Sequence, residues 1–158
     1  MAQQEHGSLV ERESPMHPSE QRNIDVVLRY FDGCNTGELG DLLPTLADDV
    51  VHYFLPTSFP TIRGAQHLAR FWAKYQRTLD PTWRIDQIIA AGDVVASEWS
   101  CRWRRSPAED WTMSRGTEWY VIRNGLITEV RAYFAVDGTA ENELPDFPYA
   151  ERGYLPHA

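Results

Sequence analysis

Apolar residues recur with helical spacing in three segments of the first half of the chain. The spacing i, i+3, i+4, i+7 predicts helices that begin near Pro18, at Leu39 and at Ala65. Pro81 ends the third helix because proline cannot continue one. The apolar positions are Ile24, Val27, Leu28 and Phe31 in the first helix, Leu39, Leu42, Leu43 and Leu46 in the second, and Leu68, Phe71, Trp72, Tyr75 and Leu79 in the third. Helices with matching apolar faces need a common surface to cover.

The second half of the chain is dominated by runs that are typical of strands. A β-branched and aromatic run at 50–55, closed by Pro56, already predicts one strand between the second and third helices. Four more strands are predicted at 84–91, 94–104, 112–123 and 126–136, and the Asn124-Gly125 pair between the last two is a strong hairpin signal. The run 94–104 alternates apolar and polar residues, which indicates a half-buried antiparallel strand.

The order of these elements predicts an α+β fold. We expect a cone-shaped α+β barrel over residues 18–136, in which a curved antiparallel sheet packs on three N-terminal helices and encloses one pocket. Residues 1–17 are polar and predict a flexible N-terminal arm. Residues 137–158 are expected to pack as a tail on the domain or on a partner subunit.

Composition excludes several classes of partner. A net charge of −8 argues against a nucleic-acid-binding protein and against an anionic membrane surface. The chain shows neither a secretory signal nor an apolar stretch long enough to span a bilayer, so we expect a cytoplasmic protein. Cys34 and Cys101 predict buried free thiols, and no His or Cys spacing indicates a metal site. No cofactor is expected.

Three local patterns resemble the nuclear-transport-factor-2-like superfamily, particularly its SnoaL-like polyketide cyclase and ketosteroid isomerase branches. The patterns are Leu28-Arg29-Tyr30 leading to Asn35-Thr36-Gly37-Glu38, then Ala47-Asp48-Asp49-Val50, and finally Arg115-Gly116-Thr117-Glu118 running through Asn124-Gly125-Leu126-Ile127. The resemblance covers residues 19–136. It implies the fold more specifically than the chemistry, because this scaffold hosts isomerases, dehydratases, cyclases, epoxide hydrolases and non-catalytic proteins.

The resemblance implies catalytic residues position by position. Tyr30 and Glu118 look like the tyrosine and the carboxylic acid that donate hydrogen bonds to the substrate oxyanion in ketosteroid isomerases. The general-base aspartate of those enzymes would fall near Phe54, so His52 on the same strand face is the nearest titratable replacement.

Two other branches of the superfamily fit less well. The Asp-Arg-Asp set of limonene-type epoxide hydrolases would fall on Trp99, Cys101 and Ala132, which excludes that chemistry. The His–Asp dyad of scytalone-dehydratase-like proteins is in doubt because Asn35 stands at the corresponding position.

Each catalytic candidate also has a purely structural interpretation. Glu118 shares a strand face with Tyr120, and burial without a cation would raise its pKa and keep it protonated. Alternatively, Glu118 faces solvent or pairs with an arginine such as Arg102 or Arg131. His52 could be a hydrogen-bonded core histidine, and Tyr30 a packed helix aromatic. The residues expected to line the substrate pocket, or simply to pack the core, are Phe54, Trp72, Trp99, Trp103, Tyr120 and Phe134.

The leading hypothesis is an enzyme for a small, hydrophobic, carbonyl-bearing substrate of the polyketide, steroid or terpenoid kind. Tyr30 and protonated Glu118 would stabilise an enolate-like intermediate while His52 moves the proton. The rival is a non-catalytic ligand-binding or dimerisation module, which is favoured if tryptophans fill the interior. Under either hypothesis Trp119 and Tyr133, on the opposite sheet face, suit a homodimer that forms through the sheet.

Overall fold

The computed structural model describes residues 16–55, 58–135 and 143–156. Within these ranges the helices are α1 (Pro18–Thr36), α2 (Leu39–Leu42) and α3 (Ala65–Leu79), with a short 3-10 turn at Leu43–Thr45. The strands are β1 (Leu46–Leu55), β2 (Ile62–Arg63), β3 (Thr82–Ala91), β4 (Val94–Trp103), β5 (Thr112–Arg123) and β6 (Leu126–Phe134). Of the predicted N-terminal arm, residues 16–17 are described and the rest lies outside the described residues. Residues 136–142, which belong to the predicted last strand and tail, also lie outside them.

The first helix has capping residues at both ends. The His17 side chain accepts a hydrogen bond from the Ser19 N–H, and the Glu20 carboxylate accepts one from the His17 N–H. These bonds satisfy backbone donors that a helix start leaves unpaired. At the other end Gly37 adopts a φ of 70°, and a Cβ there would lie 2.9 Å from Gln76 Cβ. Glycine therefore allows both the turn and the close approach of α1 to α3.

The six strands form one curved, open sheet in the order β2-β1-β6-β5-β4-β3. An antiparallel sheet in a barrel was predicted, but the sheet is mixed, because β1 runs parallel to β6, and it is not closed, because β2 and β3 are its two edges. The apolar pattern of β1 shows that the segment is buried, but it carries no information about strand direction. Direction follows from the path of the chain, which leaves β1 through β2 and α3, starts again at the far edge with β3, and returns by three hairpins.

The helices cover the inner face of the sheet. Helix α1 packs chiefly against β3, and α3 packs against β1. The inward positions of β5 are Glu118, Tyr120 and Ile122, all buried. Because side chains alternate along a strand, this register fixes which residues face the helices. The expected α+β fold, with three helices on a curved sheet, is confirmed.

The tail residues 143–156 lie against the outer face of the sheet. The Arg115 guanidinium donates to the Leu155 carbonyl oxygen at 3.0 Å and stacks on the Tyr149 ring at 3.9 Å. The Tyr154 hydroxyl donates to the Glu98 carboxylate at 2.5 Å. These contacts join the tail to β4 and β5. None of the helices in the described ranges is long and apolar enough to cross a membrane.

Candidate active site

Glu118 is the buried carboxylate on the inner face. It lies opposite Ser97 on β4 and Ala132 on β6, and 4% of its surface is exposed. Its carboxylate accepts a hydrogen bond from the Tyr120 hydroxyl, two residues along the same strand.

Neither arginine considered as a partner binds Glu118. The Arg131 guanidinium donates to Glu129, and the Arg102 guanidinium stacks on Trp111 at 4.6 Å. The structure therefore agrees with the buried interpretation of Glu118, in which no cation offsets its charge.

Burial raises the pKa of Glu118 from its usual 4.5 to about 7. The hydrogen bond from Tyr120 acts in the opposite direction, because it stabilises the carboxylate, but its effect is smaller. Near neutral pH the protonated and ionised forms are both populated. Such a group can donate a proton or accept one, which is what general acid–base catalysis requires.

Tyr30 lies on α1 next to this carboxyl group. Its hydroxyl accepts a hydrogen bond from Trp72 Nε1 at 2.5 Å, and its ring meets the edge of Tyr120 at a centroid distance of 6.2 Å. Burial raises the pKa of the Tyr30 hydroxyl well above its usual range, and the neighbouring Cys34 and Glu118 raise it further. Tyr30 therefore stays neutral and keeps a proton to donate.

His52 lies on β1 with its ring in the aromatic interior. It is fully buried, stacks on Phe54 at 4.0 Å and meets the edge of Trp72 at 5.8 Å. Neither ring nitrogen makes a hydrogen bond of normal geometry within the described residues. Burial lowers the pKa of His52 to about 3, and the nearby Tyr53 backbone opposes this only slightly. The imidazole is thus neutral at pH 7 and a weaker base than the sequence interpretation assumed.

The three predicted catalytic residues share the inner face without forming one hydrogen-bonded unit. Tyr30 and Glu118 are linked through Tyr120, whose ring contacts the first and whose hydroxyl binds the second. His52 is opposite Val130 on β6, and Val130 is opposite Tyr120 on β5. His52 is therefore two strands away from the Tyr120 end of this cluster.

An aromatic layer fills the space between α3 and the sheet. Its members, joined by ring contacts with centroid distances of 4.8–6.5 Å, are Phe54, Phe59, Phe71, Trp72, Tyr75, Trp83, Trp99 and Phe134. Phe54, Trp72, Trp99 and Phe134 were expected to line a pocket, and the structure brings them together. In this structure the layer packs against itself.

Two of the predicted lining residues have other surroundings. Trp103 donates from Nε1 to Ser114 Oγ at 3.0 Å, and its ring lies beside the Arg105 guanidinium. Tyr120 serves as the hydrogen-bond donor to Glu118. The spacing of Glu118 and Tyr120 on one strand face was the signal for this pair, although its hydrogen bond was not predicted.

Sequence reasoning missed four members of the aromatic layer: Phe59, Phe71, Tyr75 and Trp83. Phe71 and Tyr75 were assigned to the apolar face of the third helix, which gave a signal for burial but not for the site. Trp83 was missed because it falls one residue before the predicted strand 84–91, whereas β3 begins at Thr82. Phe59 lies in the loop after β1, where the spacing of apolar residues gives no information about burial.

Two indole N–H groups in this layer are buried without an acceptor in the described part of the chain. They belong to Trp83 and Trp99, and the Nε1 atom of each is shielded from solvent. A buried donor left unpaired costs about 1–3 kcal/mol. Unpaired groups of this kind call for an explanation, and a ligand or an internal water molecule is the usual one.

Five cavities of the described structure open at its outer surface. The two largest have volumes of about 610 and 430 Å³, the first along α1 and the second between the tail and the outer sheet face. Neither Glu118 nor His52 lines any of the five. A small apolar cavity of about 210 Å³ lies on α3 beside Phe71 and Tyr75, immediately outside the aromatic layer.

Comparison with known proteins identifies relatives of the whole fold. The family described as the SnoaL-like domain matches residues 27–130. A protein of unknown function with a cystatin-like fold from Methylobium petroleophilum PM1 is 30% identical over 88% of this chain and 94% of its own, with a TM-score of 0.66. No curated protein matches the chain significantly.

Two structural neighbours with lower identity carry functional descriptions. An LEH-like epoxide hydrolase of M. tuberculosis is 22% identical over 79% of this chain and 91% of its own, with a TM-score of 0.67. A protein assigned as a polyketide cyclase from Xanthomonas campestris pv. campestris is 23% identical over 73% and 92%, with a TM-score of 0.64. At these identities the likeness shows the fold alone.

Proposed function

The chain belongs to the SnoaL-like domain family, and on that premise we propose that it is a small-molecule enzyme using general acid–base catalysis. Its proposed substrate is a hydrophobic, carbonyl-bearing compound of the polyketide, steroid or terpenoid kind, which would bind between α3 and the sheet by displacing part of the aromatic layer. The observation that carries this proposal is Glu118, a buried carboxyl group with a pKa of about 7 and no cationic partner in the described structure.

The chemistry begins with polarisation of the substrate carbonyl. Protonated Glu118 and neutral Tyr30 donate hydrogen bonds to the carbonyl oxygen, where negative charge develops as an enolate forms. Trp72 positions Tyr30, because its indole N–H binds the tyrosine oxygen, and the tyrosine proton would turn from the neighbouring Cys34 thiol to the substrate. A dry aromatic site strengthens both bonds relative to water.

The role of His52 is revised by its environment. With a pKa of about 3 the imidazole is neutral, so it offers one N–H donor and one acceptor nitrogen instead of a strong base. We assign it the orientation of the substrate. The Glu118 carboxyl group passes its proton to the carbonyl oxygen, and the carboxylate left behind takes the α-proton from carbon, so that an enol forms and the acid is regenerated. Isomerisation, cyclisation and dehydration all contain such a step, and the neighbours described as a polyketide cyclase and an epoxide hydrolase use the same scaffold.

A thermal-shift screen against enones, steroids and aromatic polyketides tests this proposal. Wild type should be stabilised by some members of the panel, and Glu118→Gln should weaken those shifts, because an amide N–H is a poorer donor to the carbonyl oxygen than a carboxylic acid and cannot transfer its proton. Glu109→Gln, an exposed position, is the matched control and should behave as wild type. Hits that survive unchanged in Glu118→Gln would contradict the assigned role, and product assays follow on any hit that is lost.

The packed aromatic layer supports a second candidate, a non-catalytic module of the same fold with a filled interior. On that hypothesis the rings are permanent core, and no panel compound binds between α3 and the sheet. The unpaired N–H groups of Trp83 and Trp99 weigh against it, because a permanent core would leave two buried donors unsatisfied. Absence of binding by every compound in the screen would favour this candidate.

We also propose that the protein forms a homodimer through the outer face of the sheet. That face exposes Tyr53, Leu55, Trp119 and Tyr133, which lie on neighbouring strands. A cluster of exposed aromatics of this kind is typical of a protein interface. The described part of the tail, residues 143–156, covers the neighbouring part of the face, around Arg115.

A further inference from the structure

The indole N–H groups of Trp83 and Trp99 lie next to each other in the aromatic layer. The two rings meet edge to face with centroids 4.8 Å apart. Their strands are paired, since Trp83 is opposite Cys101 and Ile85 is opposite Trp99. Both Nε1 atoms are buried without an acceptor in the described ranges. Two unpaired donors at one place in the molecule form a feature distinct from the Glu118 carboxyl group.

The protein satisfies its other interior indoles, which makes this pair stand out. Trp72 Nε1 donates to the Tyr30 hydroxyl at 2.5 Å, and Trp103 Nε1 donates to Ser114 Oγ at 3.0 Å. Among the tryptophans of the described ranges, Trp83 and Trp99 are thus the ones whose buried Nε1 lacks an acceptor, although buried polar atoms of other residues, such as Arg102 Nε and Arg104 Nε, are also unpaired.

The unpaired tryptophans are also held in place. The Trp83 backbone N–H donates to Asn35 Oδ1 at 2.7 Å, and the Asn35 side-chain amide donates to the Trp83 backbone carbonyl at 3.0 Å. The Trp99 ring lies over Gly116, where an added Cβ would come within 2.5 Å of it. The Asn35 bonds fix the Trp83 backbone, while the Trp83 ring is confined by contacts with the Phe31, Trp72 and Tyr75 rings, so neither indole turns freely to find an acceptor.

The chemistry of these donors limits what can occupy the site. An indole N–H donates and never accepts, so its partner is an acceptor atom. The surrounding rings, those of Phe31, Trp72, Tyr75 and Phe134, carry no positive charge. A carboxylate or phosphate would be buried there without a counter-charge, and this is costly. A neutral oxygen is the acceptor that fits.

The distance to Glu118 follows from the strand register. Trp99 is opposite Gly116, and Glu118 is two residues further along β5. Residues two apart on a strand face the same side with their Cα atoms about 7 Å apart, so Trp99 and Glu118 project from the same face of neighbouring strands. Resting on the function proposed above, we infer that the substrate is a ketone with a second, neutral oxygen, which the Trp83 and Trp99 indoles bind while its carbonyl binds Glu118.

Calorimetric titration with three related bicyclic ketones tests this subsite. The probes are 1-tetralone, which lacks the second oxygen, and its 4-hydroxy and 4-methoxy derivatives, which carry it. The methoxy compound can only accept a hydrogen bond, so it isolates the acceptor contribution. Wild type should bind both oxygenated probes about fivefold more tightly than 1-tetralone, as expected for a net hydrogen bond to a neutral donor.

The variants Trp99→Phe and Trp83→Phe remove one indole donor each while keeping an aromatic ring. Each should bind the three probes with similar affinities, so that the preference falls to about twofold or less. Trp111→Phe is the control, since Trp111 packs against Arg102 and Arg104 outside the aromatic layer, and it should keep the full preference. Trp83 is only half-buried, so its variant remains informative if Trp99→Phe does not fold.

Glu118→Gln separates this inference from the proposed function. It should weaken all three probes by a similar factor and leave the preference for the second oxygen intact. Binding that depends on Glu118 but shows no preference in wild type, or a preference that survives in both tryptophan variants, overturns the subsite alone and leaves internal water as the partner of the indoles. Failure of all three probes to bind overturns both proposals.

Nitrogen-15 NMR gives a readout that does not depend on activity. The indole N–H signals of Trp83 and Trp99, assigned from the two phenylalanine variants, should move downfield when 4-methoxy-1-tetralone binds and much less with 1-tetralone. Equal shifts with both probes would contradict a hydrogen bond to the second oxygen.

Discussion

At the residue scale the site is governed by two buried titratable groups with opposite effects. Glu118 and His52 both lose hydration, but burial favours the protonated carboxyl group and the deprotonated imidazole. Each is therefore neutral in the folded state over much of the range from pH 4 to 7. The pH dependence of folding should show both.

Glu118 lowers stability as the pH rises. Its pKa in the folded state is about 7, above its usual 4.5, so its contribution to the free energy of unfolding is complete below pH 4.5 and lost as the pH rises through 7. A pKa difference of this size corresponds to about 3 kcal/mol. In Glu118→Gln this contribution is absent and that of His52 remains, so the free energy of unfolding should rise with pH between 4.5 and 6.5. Urea unfolding at a series of pH values measures it.

His52 has the reverse dependence. Its pKa in the folded state is about 3, below its usual 6.5, so its contribution is complete above pH 6.5 and lost as the pH falls towards 3. In wild type the two slopes oppose each other between pH 4.5 and 6.5. In His52→Phe the free energy of unfolding should therefore fall as the pH rises across this window. Profiles for both variants parallel to wild type would show that neither group is buried as described.

The Tyr120 hydroxyl adjusts the titration of Glu118. Its hydrogen bond stabilises the carboxylate, so Tyr120→Phe should raise the pKa of Glu118 further, by about one pH unit for a bond to a charged group. Infrared titration of the Glu118 carboxyl stretch, with Glu118→Gln as the blank, measures the change. An unchanged or lower pKa would mean that the hydroxyl does not bind the carboxylate.

At the element scale the strands were predictable and their partners were not. Alternation on β4 and β5 placed Trp99 and Glu118 on the inner face, and the Asn124-Gly125 turn fixed the last hairpin. These are local signals. Local patterns did not predict the parallel pairing of β1 with β6 or the two-residue strand β2. Both depend on contacts between residues that are distant in the sequence.

Gly116 on β5 lies in close contact with Trp99 of β4 and with Tyr133 and Phe134 of β6. An added Cβ would lie 2.5 Å from Trp99 Cζ2, 2.7 Å from the Tyr133 carbonyl oxygen and 2.8 Å from Phe134 Cβ. Gly116→Ala should lower the free energy of unfolding by about 1–3 kcal/mol, measured by urea unfolding, because backbone and packed rings must shift. Gly40→Ala is the control, since nothing lies within 4 Å of its Cβ and alanine favours the helix. Equal stability of the two variants would contradict this account.

At the scale of the whole molecule, the sequence predicted the fold class but not the closure of the interior. Helical stripes and strand alternation show which residues are buried. They do not show whether aromatic rings surround an open space or occupy it, because that depends on the rotamers of Phe71, Trp72 and Tyr75 acting together. The catalytic candidates were found by resemblance, and the state of His52 became apparent only from its buried surroundings.

The proposed dimer is a property of the whole outer face. Trp119 is 43% exposed there, whereas Leu28, 39% exposed, lies on α1 away from the sheet. Trp119→Ser should shift sedimentation from dimer to monomer because it removes a large aromatic anchor from the interface. Leu28→Ser should leave the dimer unchanged. A monomeric wild type, or equal behaviour of the two variants, would contradict assembly through this face.

The parallel pairing of β1 with β6 also affects how the chain is made. The residues of β1 leave the ribosome long before those of β6, their neighbour in the centre of the finished sheet. Until Phe134 has emerged, β1 offers an unpaired backbone edge and an apolar face with only β2 and the helices beside it. Such an edge invites mispairing between nascent chains. The sheet therefore becomes continuous only after the last strand has been synthesised, when β6 pairs with both β1 and β5.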